Sequence, residues 1–352
     1  MTVDQGKVEE ALFATVGDMA AAVSMAAALV GHKAGLYQAM AGAGPMSSGT
    51  LAEVTGTRER YAREWLNNQA AGGYVDYDPD AGTYTMSDER AMILADQDSP
   101  VYLAGGFDLL AAIFAGADRI EEVFTTGEGV GWHEHHPRLF AGTEAFFRPG
   151  YRAHLVTEWI PALDEVEQKL SAGARVADVG CGHGASTIVM AQAFPNSVFL
   201  GVDYHEASIK AARKNAAQVG VADRVRFEVA DAAGLPGSGY ALVCFFDALH
   251  DMGDPVGAAR QAHQALDPDG TVLLVEPAAG DRVEDNLNPI GRMYYGASLF
   301  LCTPHSLSQP VGLGLGAQAG PARMGEVMAE AGFTRFRRAA ETPVNIVLEA
   351  RP

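Results

Sequence analysis

The sequence predicts an α/β protein, with a mostly parallel, doubly wound sheet in the second half of the chain behind a mainly helical first domain. Two observations carry this. From residue 175 onward, short apolar runs alternate with helical stretches. Before residue 96, helices close on a two-stranded hairpin. The 352 residues, 48% hydrophobic, suffice for two domains of roughly 100–200 residues each.

The first domain is expected over residues 1–95. Residues 16–30 form an Ala-rich helix that is apolar on most faces, buried in its own domain or against a partner subunit. Ser47-Ser48-Gly49-Thr50 caps a short helix beginning at Leu51, and Thr55-Gly56-Thr57 is a turn. Residues 58–71 form a second amphipathic helix, ended by Gly72-Gly73. Residues 74–77 alternate as a strand. Asp78-Pro79-Asp80-Ala81-Gly82 turns the chain, and residues 83–86 return. Helix, turn, helix and hairpin describe a winged helix. Arg58, Arg60 and Arg63 are offset by Glu59 and Glu64, and the hairpin carries Asp76, Asp78 and Asp80. A wing that reads DNA needs Lys or Arg there, so dimerisation and covering a pocket are the expected roles.

Residues 96–170 read as a helical connector contributing to the substrate pocket. It holds a His-rich loop, Trp132-His133-Glu134-His135-His136, and the segment Phe146-Phe147-Arg148-Pro149-Gly150-Tyr151-Arg152. Three ligands within four consecutive loop residues rarely converge on one metal, so no metal site is expected. His133 is placed at the substrate mouth.

The second domain, residues 171–352, supplies strands at 175–179, 197–202, 225–229, 241–246 and 271–275. Helices are expected at 186–194, 206–219 and 256–266. Residues 335–342 and 345–349, joined around Pro343, finish the sheet as an antiparallel hairpin. Ligands of such sheets sit outside the carboxyl ends of the strands.

A formal net charge of −19 and a pI near 4.8 repel phosphate backbones, so no nucleic-acid partner is expected. The opening ten residues lack the pattern of a signal peptide. The longest apolar stretch, residues 19–30, falls short of the roughly 20 residues that span a bilayer, so no membrane partner is expected. Cys181, Cys244 and Cys302 are far apart and odd in number, which fits a reduced cytoplasmic protein.

The chemistry concentrates in residues 176–184, Val-Ala-Asp-Val-Gly-Cys-Gly-His-Gly. An apolar strand runs into Asp178, Gly180, Gly182 and Gly184, and a helix starts at Ser186. Glycines let the backbone approach a ligand, and the helix N-terminus presents N–H groups to it. Asp203, about 20 residues on, ends the second strand, where a carboxylate accepts ribose hydroxyls. Asp231 and Ala232 follow the third strand. Gly180, Gly182 and Ala185 also satisfy a dinucleotide pattern, which leaves a nicotinamide oxidoreductase as an alternative. Asp178 ahead of the first glycine and the C-terminal hairpin argue against it.

Asp178-x-Gly180-x-Gly182-x-Gly184, Asp203, Asp231 and Phe246-Asp247 resemble the successive motifs of class I S-adenosylmethionine-dependent methyltransferases, over essentially residues 173–352. The whole chain is similar to a bacterial family of such enzymes with an N-terminal winged helix, through residues 176–186, 246–255, 285–295 and 316–320. The resemblance implies a Rossmann-like, seven-stranded sheet and S-adenosylmethionine as cofactor. It implies that Asp178, Gly180 and Gly182 contact the methionine portion, with Cys181 beside them. Asp203, with Tyr204, takes the ribose, and Asp231 and Ala232 take the adenine. Phe246 lies beside the cofactor, and Tyr151 is a further contact.

His250, within residues 247–254 after the fourth strand, is the candidate general base. Its His-Asp segment is similar to that of plant-type small-molecule O-methyltransferases, whose winged helix serves dimerisation. Glu276, ending the fifth strand, is the candidate carboxylate that orients it. A second such carboxylate before the last long helix is missing, Gln318-Ala319-Gly320 standing there; either Asp251 substitutes or the base is weaker than in that family. Tyr294, Tyr295 and His305 are expected to line the acceptor pocket. The expected function is methyl transfer to a small-molecule acceptor, a hydroxyl, by a homodimer. A winged-helix regulator that senses S-adenosylmethionine is the alternative from another class.

Overall fold

The computed structural model describes residues 3–352 and divides into two compact units, Met1–Ala111 and Ala112–Pro352. The expected connector is therefore not a body of its own. Residues 96–111 pack with the first unit, and residues 112–170 with the second.

In the first unit a helix of 29 residues, Gln5–Lys33, starts where the Asp4 carboxylate accepts from the N–H groups of Gly6 and Lys7. It is twice the expected length. By length and composition it is long and apolar enough to cross a bilayer, which corrects the expectation that this stretch is too short. It is also not buried in its own domain. Only Ala28 and Gly31 are buried, while Leu12, Phe13, Val16, Met19 and Val23 stand exposed. Its last turns fix the unit. Trp65 Nε1 donates to Ala27 O at 2.9 Å, and a Cβ on Gly31 would meet the Trp65 ring at 2.4 Å.

Helices Leu36–Met40, Ser48–Thr55 and Glu59–Ala71 follow, the second capped by Ser47 Oγ. Strands β1 (Asp76–Asp78) and β2 (Thr83–Thr85) form the hairpin, with Tyr77 opposite Tyr84. The core is built from Tyr37, Leu51, Trp65, Leu66 and Tyr84, with Tyr37 Oη donating to buried Gln69 Oε1 at 2.5 Å. Arg60 pairs with Glu64 and Arg63 with Glu59, and the hairpin's Asp76 and Asp78 are exposed. Two of the three arginines on the helical face are thus balanced by carboxylates.

The second unit holds a seven-stranded sheet of order β5-β4-β3-β6-β7-β9-β8. The strands are β3 (Arg175–Val179), β4 (Val198–Asp203), β5 (Val225–Val229), β6 (Tyr240–Phe246), β7 (Leu266–Pro277), β8 (Arg335–Glu341) and β9 (Asn345–Arg351). All pairs are parallel except β7–β9 and β8–β9. Alternate residues of each strand serve opposite faces. Val176, Leu242 and Cys244 join one core, with helices Ala185–Ala193 and Glu206–Gln218. Ala177, Val179, Val243 and Phe245 join the other, with helices Pro255–Ala265 and Gly320–Ala331.

Two segments are π-helical, Tyr151–Trp159 and Ser298–Cys302. Such turns are rare and cluster at functional sites. The first of them contributes Tyr151 to the lining of the cavity described next.

Candidate active site

The sheet order sets out the site. At the carboxyl edge stand, from one side to the other, Asp231 after β5, Asp203 ending β4, Gly180 after β3, Asp247 after β6 and Glu276 near the end of β7. Neighbouring strands lie about 4.8 Å apart, so these positions form a graded row. A cavity of about 340 Å³ opens along it.

The loop after β3 needs its glycines. Gly180, Gly182 and Gly184 have φ of 77°, 51° and 78°, and a Cβ on Gly180 would meet Ala248 Cβ at 2.8 Å. Asp203 pins this loop: its Oδ2 accepts from Gly182 N at 3.0 Å and its Oδ1 from His205 N at 2.8 Å. Burial raises its pKa. Each oxygen keeps a lone pair for a ribose hydroxyl. Gly180, Cys181, Gly182, Asp203, Tyr204, Asp231, Ala232, Phe246 and Tyr151 all line the cavity.

Asp178 itself does not line the cavity. It is fully buried, and its Oδ2 accepts from Ser186 Oγ at 2.7 Å and Thr187 Oγ1 at 2.6 Å, tying β3 to the next helix. Its Oδ1 is buried with no protein partner, an open acceptor at the glycine loop. Burial lifts its pKa to about 6.

Beyond the loop, His250 is 3% exposed and lies behind the cavity wall formed by Asp247, Ala248, Asp251 and Met252. Its Nδ1 meets Glu276 Oε2, and its Nε2 lies 3.3 Å from Cys302 Sγ. Burial works against its charged form, but Glu276 and Cys302 override this and hold the imidazole well above its usual pKa. Glu276 Oε1 is buried and unpartnered. Asp251 lines the cavity, and burial lifts it to about 7.

The remaining pocket expectations divide. His305 lines the cavity, and burial drops it to about 4, so it is neutral at pH 7. Tyr204 stacks on it at 5.7 Å and 11°. Tyr294 is buried and donates to Val344 O at 2.8 Å, so it serves packing. Tyr295 and His133 are exposed. None of these three lines the cavity. A helix puts consecutive residues about 100° apart, so Tyr294 and Tyr295 cannot share one face.

Sequence reasoning missed three participants. Trp132 closes the cavity, its backbone N–H donating to Tyr204 Oη and His305 Nδ1, each at 3.1 Å. Cys302 faces His250. Asp247 was noted as a motif letter only; its carboxyl takes hydrogen bonds from Tyr151 Oη at 3.3 Å and Asn345 Nδ2 at 2.8 Å. Among the described residues, no group of three or more His, Cys, Asp or Glu is arranged to hold a metal.

A family model described as a methyltransferase domain matches residues 170–310, and one described as an Rv2258c-like winged HTH domain matches residues 21–96. The chain carries a methyltransferase domain behind a winged helix. Its seven-stranded, mainly parallel sheet with a C-terminal antiparallel hairpin is the class I methyltransferase fold. The 27-O-demethylrifamycin SV methyltransferase of Amycolatopsis mediterranei is 39% identical over 108 residues, 30% of this chain and 39% of that protein. The ubiquinone biosynthesis O-methyltransferase of Pseudomonas aeruginosa is 34% identical over 105 residues, 29% of this chain and 44% of that protein. This chain thus matches less than half the length of either relative. Among solved structures, mitomycin 7-O-methyltransferase aligns at TM-score 0.70 and 21% identity, covering 99% of this chain and 100% of that one. Human N-acetylserotonin methyltransferase, in complex with S-adenosylmethionine, aligns at TM-score 0.68 and 16% identity, covering 99% and 98%. At these identities the likeness establishes the fold.

The glycine cradle, the open Asp178 acceptor and the spare lone pairs of Asp203 fit the cofactor's amino acid and ribose ends.

Proposed function

We propose that this chain methylates a hydroxyl group of a small molecule, with His250 as the general base. One observation carries the reading. A buried histidine, tied through Nδ1 to a buried carboxylate, stands directly behind the wall of the cofactor cavity. S-adenosylmethionine supplies an already activated methyl group, so the protein's tasks are alignment, exclusion of water and removal of one proton. Gly180, Gly182, Asp203, Asp231 and Ala232 hold and orient the donor. Glu276 on Nδ1 fixes the imidazole so that Nε2, once Cys302 moves aside, takes the acceptor's proton. Phe246, Tyr151 and Trp132 exclude water. The relatives named O-methyltransferases support an oxygen acceptor.

The exposed apolar face of helix Gln5–Lys33 supports self-association as a homodimer, and the acidic chain argues against a nucleic-acid partner. A cytoplasmic setting belongs to the same reading. The test is a panel of phenols and alcohols assayed with S-adenosylmethionine, with His250→Ala as control. Turnover of a hydroxyl acceptor that drops about 10²–10⁴-fold in the variant sustains the reading. Turnover unaffected by the substitution removes His250 from the reaction.

A further inference from the structure

The row of carboxyls at the sheet edge holds one that the chemistry above does not use. Asp247 sits between the strand that ends in the glycine loop and the strand that carries Glu276. It lines the cavity. Its φ of 50° is left-handed, a conformation that Asp tolerates better than most residues. Its backbone N–H still donates to Val275 O of β7 at 2.8 Å. The chain therefore bends at the last rung of the ladder, and local strain of this kind collects at functional sites.

Both carboxyl oxygens are hydrogen-bonded, and neither is charge-balanced. Tyr151 Oη and Asn345 Nδ2 are neutral donors. The groups facing Asp247 are Glu276 from β7, His250 from its own loop, Tyr151 from the π-helix and Tyr294 from helix Pro289–Ala297. Of these only His250 can be cationic, and Glu276 already pairs with it. No Lys or Arg lines the cavity. Burial, with Glu276 alongside, lifts Asp247 to about 8. A buried carboxylate without a counter-charge is costly and takes a proton instead.

We propose that Asp247 reads the sulfonium charge of the methyl donor, so that the donor and its spent thioether product bind with different strength. The inference rests on the reading of the cavity as the donor's site. The donor's methyl group must point toward the base, so the sulfonium is its cationic centre nearest the His250 side of the row. S-adenosylhomocysteine has the same ammonium, carboxylate, ribose and adenine and lacks only that charge. With the donor bound, Asp247 is ionised and balanced. With the product bound, it holds its proton, and the product loses that attraction. The site thereby favours exchange of spent product for fresh donor.

The experiment is titration calorimetry of the full chain with S-adenosylmethionine and with S-adenosylhomocysteine between pH 6.5 and 9. With a group titrating near pH 8, donor affinity is expected to tighten roughly 30-fold across that range, measured relative to the product. The shared ammonium and ribose groups cancel in the ratio. In two buffers of different ionisation heat at pH 7, donor binding releases a proton that product binding does not. Asp247→Asn abolishes the pH dependence of the ratio, and retained product binding reports that the variant is folded. Parallel pH curves for the two ligands in the wild type overturn the proposal, as does Asp247→Asn retaining the divergence. If neither ligand binds the wild type, the reading of the cavity falls first, and this proposal with it.

Discussion

Cys302 Sγ lies 3.3 Å from His250 Nε2, the nitrogen that faces away from Glu276. On the proposed reading of His250 as base, the thiol occupies the place that an acceptor hydroxyl needs. Acceptor entry therefore displaces Cys302, and its π-helical turn is the element that must give.

That relationship predicts the outcome of alkylation. Iodoacetamide is expected to abolish methyl transfer by carbamidomethylating Cys302, while S-adenosylhomocysteine still binds by calorimetry. Cys302→Ala is expected to keep its activity through the same treatment. Cys244 is buried and Cys181 lines the cavity, so loss of activity in the alanine variant would place the reactive thiol at Cys181.

Glu276 sets the working pH of the base. It holds the His250 pKa above the ordinary value, and the imidazole must be unprotonated to accept a proton. The rate therefore rises with pH through that raised pKa. In Glu276→Gln the pKa falls, and the rising limb of the kcat profile moves to lower pH, with kcat at its plateau reduced about tenfold or more. The stability that the pair contributes runs the opposite way with pH. It is present below the unfolded histidine pKa and is lost as pH rises through the folded one. A limb that stays in place would show that another group controls the profile.

Asp203→Ala removes two hydrogen bonds that pin the glycine loop and the acceptor offered to a ribose. At about 1 kcal/mol or more for each bond, donor and product affinity are both expected to fall at least 30-fold in calorimetry. Affinity within a factor of three of wild type would show that the ribose is held by another group.

Gly31→Ala tests the packing of the first unit. The new Cβ would stand 2.4 Å from the Trp65 ring, which must shift and strain its hydrogen bond to Ala27. A destabilisation of about 1–3 kcal/mol is expected in urea unfolding of the full chain. Unchanged stability would mean that the indole moves freely.

The parts legible in the sequence are those whose signals are local. β3 and β5 run over 175–179 and 225–229, as their apolar runs between turns require. Asp203, Asp231 and the glycines are readable because strand, turn and helix follow each other within a few residues. The first helix was not, because residues 5–15 mix polar and apolar residues and only continued hydrogen bonding joins them to the Ala-rich run. Asp247 escaped because its partners Tyr151 and Asn345 lie 96 and 98 positions away, a separation at which no spacing rule operates. Trp132 acts through its backbone N–H, which every residue except proline has. Tyr294 and Tyr295 share the insertion after the fifth strand, but its place in the chain does not say which of its side chains face a cavity, and helical geometry separates neighbours.

The π-helical turn at Ser298–Cys302 has an evolutionary consequence. A π-turn differs from an α-turn by a single inserted residue. Deleting one codon in this stretch would restore regular α-helix and rotate everything on one side of it by about 100°. Cys302 would swing off the base, and a different side chain would face it. On the proposed reading, the surroundings of His250 can thus be rebuilt by one small deletion, with the sheet and the glycine loop untouched. Closely related chains that differ there by one residue are the place to look for altered acceptor choice.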